Sequence, residues 1–183
     1  MTRVEEIIDR YYTSGSRLKE ILTVHSMLVA RKALECAERR RLGIDAGFVE
    51  EAALLHDIGI IRCNAPDIRC EGELPYICHG VEGRRMLEAE GLPRHALVCE
   101  RHTGAGLTVD DIISQRLPLP LRDMTPQTLE EQLICYADKF YSKSRPGCEK
   151  TAEQALNSVS KFGEEGACRF RRWMELFKEN NGQ

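Results

Sequence analysis

At 183 residues, with 42% hydrophobic and 30% charged side chains, the chain has the size and balance of one soluble globular domain that needs no disulfide staples. A formal net charge of -3 argues against a nucleic-acid surface or a polybasic membrane face, and no apolar run approaches the length of a membrane span. Eight cysteines lie scattered, mostly singly, and Thr2-Arg3-Val4-Glu5-Glu6 is charged rather than a secretory leader, so a reducing, cytoplasmic setting with free thiols is expected.

Val4, Ile7, Ile8, Tyr11 and Tyr12 predict a short amphipathic helix over residues 4–12. Thr13-Ser14-Gly15-Ser16 breaks it, with Ser16 placed to cap the turn that follows. A longer helix is expected from Thr23 to about Leu42, with His25, Val29, Ala33, Cys36 and Ala37 on one stripe, and Gly43 stops it. Asp45 is the expected N-cap of the next helix, on which Val49, Ala52, Ala53 and His56 share a face. Gly59 suits a left-handed position just past that helix end. Residues 60–78, with Pro66, Gly72, Pro75 and three cysteines, show no period and read as a long functional loop.

A helix is predicted from His79 to Glu90, and Pro93 opens another from Arg94 to His102. Thr103-Gly104-Ala105-Gly106 ends it, and Thr108 with Asp111 resembles a capping box for a short helix to about Arg116. Thr125-Pro126 is expected to cap a long helix through Tyr141 that carries Leu133, Ile134, Tyr136 and Asp138. After a break at Ser144-Arg145-Pro146-Gly147, the tail is helical again, anchored by Leu156, Val159, Phe170, Trp173, Met174 and Phe177. No strand signal rises anywhere. The reading is all-α, one domain over residues 1–183.

The stretch around which the chain is organised is Ala52-Ala53-Leu54-Leu55-His56-Asp57-Ile58-Gly59. His56 and Asp57 are about 100° apart around a helix axis, so both reach one point in space. Burying them without partners would cost several kcal/mol, which calls for a satisfied core pair or a metal. Of the five histidines, His25, His56, His79 and His102 fall at expected helix starts or ends on apolar or small-residue faces, and Asp138 has similar surroundings. A lone buried histidine is ordinarily a hydrogen-bonded core residue, and Asp138 could pair with Lys139, but that explanation would have to hold six times in one small domain. A shared metal site accounts for all of them together. His95 shares a face with His102 but stands about 10.5 Å away along the axis, too far to share a metal. Cys63, Cys70 and Cys78, with His79, offer a rival Cys₃His zinc set, although their spacing lacks the tight CxxC knuckle; they are expected to line a loop over the site.

His25, then His56-Asp57, then Asp138 follow the H…HD…D order of the HD-domain metal-dependent phosphohydrolases, and Leu55-His56-Asp57-Ile58-Gly59 is similar to the HDIG form of the motif. His79 in His79-Gly80-Val81-Glu82-Gly83 and His102 in Glu100-Arg101-His102-Thr103-Gly104 resemble the extra histidines of the dinuclear members. The resemblance covers roughly residues 20–145, with flanking helices in 1–19 and 146–183, and is closest to small stand-alone HDIG proteins of bacteria and archaea.

It implies an all-α HD bundle with extra N- and C-terminal helices and two divalent transition-metal ions. His25, His56 and Asp138 would hold one ion, His79 and His102 the other, and Asp57 would bridge them. Imidazole with carboxylate suits Fe, Mn, Co, Ni or Zn, and a water on such ions becomes a nucleophile near neutral pH. The implied activity is hydrolysis of a phosphoester or phosphoanhydride bond in a small phosphorylated, nucleotide-like substrate.

One departure stands out. Many family members carry a lysine three residues after the HD aspartate, where this chain has Ile60. Arg101 and Lys139 are the expected catalytic cations beside Asp57, with Lys143 and Arg145 as further candidates. Specificity is expected to reside in loop 60–78 and around Thr103–Leu107. Two other readings stay open. The His102-Thr103-Gly104 and Tyr136-Ala137-Asp138 stretches are similar to HD-type symmetrical diadenosine tetraphosphate hydrolases, which need room for two nucleosides. A metal-binding sensor or interaction module without hydrolytic activity is the third. Neither a nucleic acid nor a membrane is an expected partner, and the tail leaves homo-oligomerisation open.

Overall fold

Capping side chains set most of the helix starts in the computed structural model, which describes residues 2–177. Thr2 and Glu5 close a reciprocal capping box on α1 (Arg3–Tyr11), and Ser16 accepts from the Lys19 amide to begin α2 (Arg17–Arg40). That helix therefore starts six residues before the expected Thr23, because Ser16 caps the helix itself. Asp45 accepts the Phe48 amide at 3.0 Å and starts α3 (Ala46–Leu55), as its position predicts. Then follow α4 (His79–Ala89), α5 (Pro93–Arg101, with Pro93 in the first turn) and α6 (Val109–Ser114, with the Thr108–Asp111 box).

The helix that carries Asp138 is shorter than expected: α7 spans Leu129–Asp138 and is capped by Thr128 rather than Thr125. Asp123 captures both the amide and the hydroxyl of Thr125, so Thr125 belongs to the preceding turn. The tail forms α8 (Ala152–Ser160) and α9 (Glu164–Phe177).

The loop at 60–78 holds what the periodicity did not reveal, a three-stranded sheet. β1 (Cys63–Ala65) pairs antiparallel with β2 (Cys70–Glu71) and parallel with β3 (Leu74–Pro75). Strands of two or three residues are too short to write an alternation into a sequence. The fold is nonetheless all-α in class. Gly59 also differs from its expected conformation. It lies inside a 3₁₀ turn, Ile58–Arg62, and does not adopt a left-handed φ. Its role is close approach: a Cβ there would lie 2.1 Å from the His79 carbonyl oxygen and 2.4 Å from the Gly83 nitrogen.

Two large apolar clusters and a small third one, Val81, Leu107, Ile112 and Met124 with Ile77 and Phe162 packed against it, make the core among the described residues. One large cluster joins α2, α3 and α7 to the tail through Val29, Val49, Leu133, Phe170, Trp173 and Phe177; the other joins α1, α4 and α5 through Ile7, Leu22, Leu55, Ile58, Leu87 and Ala96. Both α2 and α3 pass from one cluster to the other, and His25 and His56 lie at those passages. The tail anchors are core residues, as their pattern predicts. Truncating the fully buried Phe170 to alanine is expected to cost about 3–5 kcal/mol, read from the shift in the urea unfolding midpoint. All eight cysteines are free thiols, six of them buried. Among the described residues no helix is long and apolar enough to cross a membrane.

Candidate metal centre

Five segments deliver six polar side chains to one buried point. His25 comes from the middle of α2 rather than from a helix end, a correction to its expected placement. His56 closes α3, with Asp57 immediately after it, while His79 opens α4, His102 closes α5 and Asp138 closes α7. All six are buried, His56 and Asp57 completely.

Asp57 divides its carboxylate between two groups. Its Oδ2 lies 3.1 Å from His25 Nε2 and 3.0 Å from His56 Nε2, and its Oδ1 lies 3.6 Å from His79 Nε2 and 3.4 Å from His102 Nε2. Asp138 Oδ1 completes the first group, 2.9 Å from His25 Nε2 and 3.4 Å from His56 Nε2. Within each group, His25–His56–Asp57–Asp138 and Asp57–His79–His102, the offered ligand atoms all lie within 4.8 Å of one another.

The backbone fixes which nitrogen points inward. Nδ1 of His56, His79 and His102 donates to the carbonyl three residues earlier, on Ala53, Tyr76 and Cys99, at 2.7, 2.6 and 2.7 Å. Each Nε2 is thereby presented to the centre. His25 lies inside a continuous helix, where the neighbouring carbonyls are already engaged, and its Nδ1 has no partner.

These contacts make a poor hydrogen-bond network and a good donor set. Neither oxygen of Asp57 nor Nε2 of His56 makes a hydrogen bond, although all are buried. The His79 and His102 Nε2 atoms face each other at 3.0 Å. Burial pushes the His79 pKa down to about 3, with the neighbouring His102 adding to the effect, so no proton bridges that gap near neutral pH. Burial lowers His102 as well. Burial would also lower His56, but the nearby Asp57 and Asp138 carboxylates outweigh it and hold His56 at about 9. The pocket therefore demands positive charge, which a divalent ion on nitrogen and oxygen donors supplies. The residues fit a metal.

Two cations reach this point and two do not. Lys139 Nζ donates to the His102 carbonyl at 2.8 Å and to Asp138 Oδ2 at 2.5 Å, and Lys143 Nζ lies 2.6 Å from Asp57 Oδ2. Burial would raise both carboxyls, but the His56 and Lys143 charges hold Asp57, and the Lys139 charge holds Asp138, well below the usual carboxylate range. Arg101 is not brought to the centre: its Nη1 lies 2.9 Å from both oxygens of buried Glu131. Adjacency to His102 in sequence turned it about 100° away around the helix. Arg145 is exposed in the turn after Ser142. His95 packs against Phe48 at 4.9 Å between ring centroids, outside both ligand groups, as its spacing predicts. The loop cysteines form no metal-capable group among the described residues; Cys78 Sγ lies 3.6 Å from the Pro118 carbonyl instead.

A cavity of about 330 Å³ opens on the centre, lined by His79, His102, Asp138, Lys139 and Lys143 on one side. Tyr76 and Ile77 of the loop and Thr103 and Gly104 line it too, in the segments where specificity was expected. Ser158, Val159 and Phe162 of the tail complete the wall and carry no local sequence signal, because only tertiary packing brings them there. Tyr76 also stacks on His79, with centroids 4.6 Å apart.

The family model described as HD domain matches residues 23–142, which include all six of these side chains. The chain belongs to the HD domain family. It is 32% identical over 129 residues to a tRNA (cytidine(56)-2'-O)-methyltransferase of Picrophilus torridus, and 28% identical over 137 residues to that of Thermoplasma volcanium. The matches cover 70% and 74% of this HD protein but only 32% and 36% of those relatives. An uncharacterized protein of Methanocaldococcus jannaschii is 35% identical over 125 residues, 66% of each chain. Among solved structures, the HD domain of the L. monocytogenes phosphodiesterase PgpH superposes with a TM-score of 0.57 at 18% identity, covering 98% of this chain and 88% of that one. The same domain in complex with cyclic-di-AMP gives 0.56, with 100% and 90% coverage. At that identity the likeness is one of fold.

Proposed function

We propose that this HD protein is a metal-dependent phosphohydrolase that holds two divalent transition-metal ions and cleaves a phosphoester or phosphoanhydride bond of a small nucleotide-like substrate. The observation that carries the reading is the division of Asp57, one oxygen toward each ligand group. Ions bound there would supply Lewis acidity, both to ionise a water and to stabilise charge on a phosphoryl group.

The protein's own part is orientation and charge. The three carbonyl-held imidazoles keep their Nε2 atoms in place without rearrangement. Lys139 and Lys143 line the cavity and take over from the lysine replaced by Ile60, which is fully buried in the core. Their ammonium groups would hold phosphoryl oxygens against the centre and offset charge as the bond breaks. The complex of cyclic-di-AMP with the PgpH domain supports a nucleotide as the kind of ligand to test first. Methyl transfer, named for relatives of which this chain spans about a third, finds no support in the six-residue cluster.

The test combines elemental analysis with phosphate release. Protein grown in metal-supplemented medium is expected to carry about two transition-metal ions per chain and to hydrolyse nucleotides from a mixed panel. Folded protein that carries metal but releases no phosphate would favour the metal-binding sensor reading, and folded protein with neither would favour an interaction module.

A further inference from the structure

Two cavities meet at the metal centre, and their walls differ in kind. The first, of about 330 Å³, has Ile77, Val159 and Phe162 as apolar members of its lining. The second, of about 360 Å³, shares Tyr76, Asp138, Lys139 and Lys143 with the first and extends past Ser142, Ser144 and Lys150 on one segment and Asp67 and Ile68 on another.

The apolar wall is set by a close packing. Phe162 lies over Gly104, where an added Cβ would stand 3.2 Å from the ring and where φ is +61°. A side chain at that position would push the ring out of the cavity. The polar lobe holds three lysines, with the exposed carboxylate of Asp67 on its wall and no ion pair between Asp67 and any of them among the described residues. Lys139 is paired with Asp138 and Lys143 with Asp57, but Lys150 has no carboxylate partner among the described residues. Its Nζ instead meets Ser158 Oγ at 3.4 Å, at the boundary between the lobes. Lys150, Ser158 and Phe162 all lie beyond the 23–142 segment that matches the family model.

Resting on the phosphohydrolase reading, we propose that the cleft is built for an unsymmetrical substrate. The Ile77–Val159–Phe162 lobe takes a flat apolar group such as a nucleobase, and the Lys150–Ser142–Ser144 lobe takes phosphate beyond the cleaved bond. The substrate class is then a nucleoside polyphosphate. A symmetrical dinucleoside polyphosphate needs two like lobes, and a nucleoside monophosphate leaves the second lobe empty. In the reaction, water adds across a P–O–P linkage. Its oxygen bonds to the phosphorus at the centre, the bridging oxygen leaves with the other fragment, and one water proton passes to the products or solvent.

The test uses full-length protein loaded with Mn²⁺ and four probes: ATP, AMP, inorganic tripolyphosphate and diadenosine tetraphosphate. ATP is expected to give the highest kcat/KM. Phe162→Ala should lower the ATP-to-tripolyphosphate ratio of kcat/KM about tenfold, a typical loss for one stacked base, and Phe162→Tyr should restore it. Lys150→Gln should lower the ATP-to-AMP ratio by a similar factor. A preference for AMP or diadenosine tetraphosphate, or ratios unmoved by both changes, overturns the lobe assignment. Calorimetric binding of the same probes reads the same ratios without turnover. Contrasts kept in binding with no hydrolysis would reject the phosphohydrolase reading alone; hydrolysis with the contrasts lost would reject the lobes alone.

Discussion

Asp57→Ala is expected to empty both metal positions and to lower hydrolysis at least about 1,000-fold, the scale of losing a principal electrostatic element of a site. The expectation follows from the shared carboxylate, which is the only side chain common to both ligand groups among the described residues. Asp138→Ala and His79→Ala serve as controls, because each removes a donor from one group only. They are expected to leave about one ion per chain, whereas Asp57→Ala leaves none. In the metal-free protein the same change strips the partner from partly buried Lys143, and breaking a buried pair costs up to about 3–5 kcal/mol. Thermal unfolding should therefore accompany elemental analysis, with Asp57→Asn as the variant that keeps the shape of the side chain. Retention of two ions by Asp57→Ala would end the bridging assignment.

Gly59→Ala is the second change of large expected effect, although a methyl group is all it adds. The new Cβ meets backbone on α4, the His79 carbonyl oxygen at 2.1 Å and the Gly83 nitrogen at 2.4 Å, so no rotamer relieves it. The start of α4 must move away from the turn that follows Asp57. Overpacking of this kind costs about 1–3 kcal/mol and more when backbone has to shift. Because His79 is the first residue of α4, the shift falls on the second ligand group and spares the first. The folded variant is expected to bind about one ion per chain and to lose at least about 100-fold in activity. Wild-type stability with two ions bound would show that the close approach has no such role.

The candidate metal centre was legible because metal ligation constrains residue type more tightly than packing does. Histidine and aspartate at His25, His56, Asp57, His79, His102 and Asp138 recur in an order that hydrophobic substitution cannot imitate, and the structure brings all six together. Helix starts were legible where a cap was unambiguous, as at Asp45 and in the Thr108–Asp111 box. They were misplaced where two capping residues compete, as Thr125 and Thr128 do, since the winner depends on whether Asp123 captures the first. Neighbourhood in sequence placed Lys139 and Lys143 at the centre but not Arg101 or Arg145. Arg101 follows its helix round to Glu131, while Lys143, five residues after Asp138, folds back to Asp57. The part played by Phe162 was invisible, because it exists only through the packing of the tail over Gly104.

The passage of α2 and α3 between the two large apolar clusters bears on how the molecule comes apart. The seam between the two large clusters carries converging donors without hydrogen-bond partners, so without ions it is expected to be a plane of weakness. Ions bound across that seam would join side chains from both sides and add their binding free energy to the cooperativity of the whole. Loaded protein should thus melt in a single transition, whereas chelated protein should yield first along the seam, exchanging amide hydrogens around His25 and His56 well before Phe170 lets go.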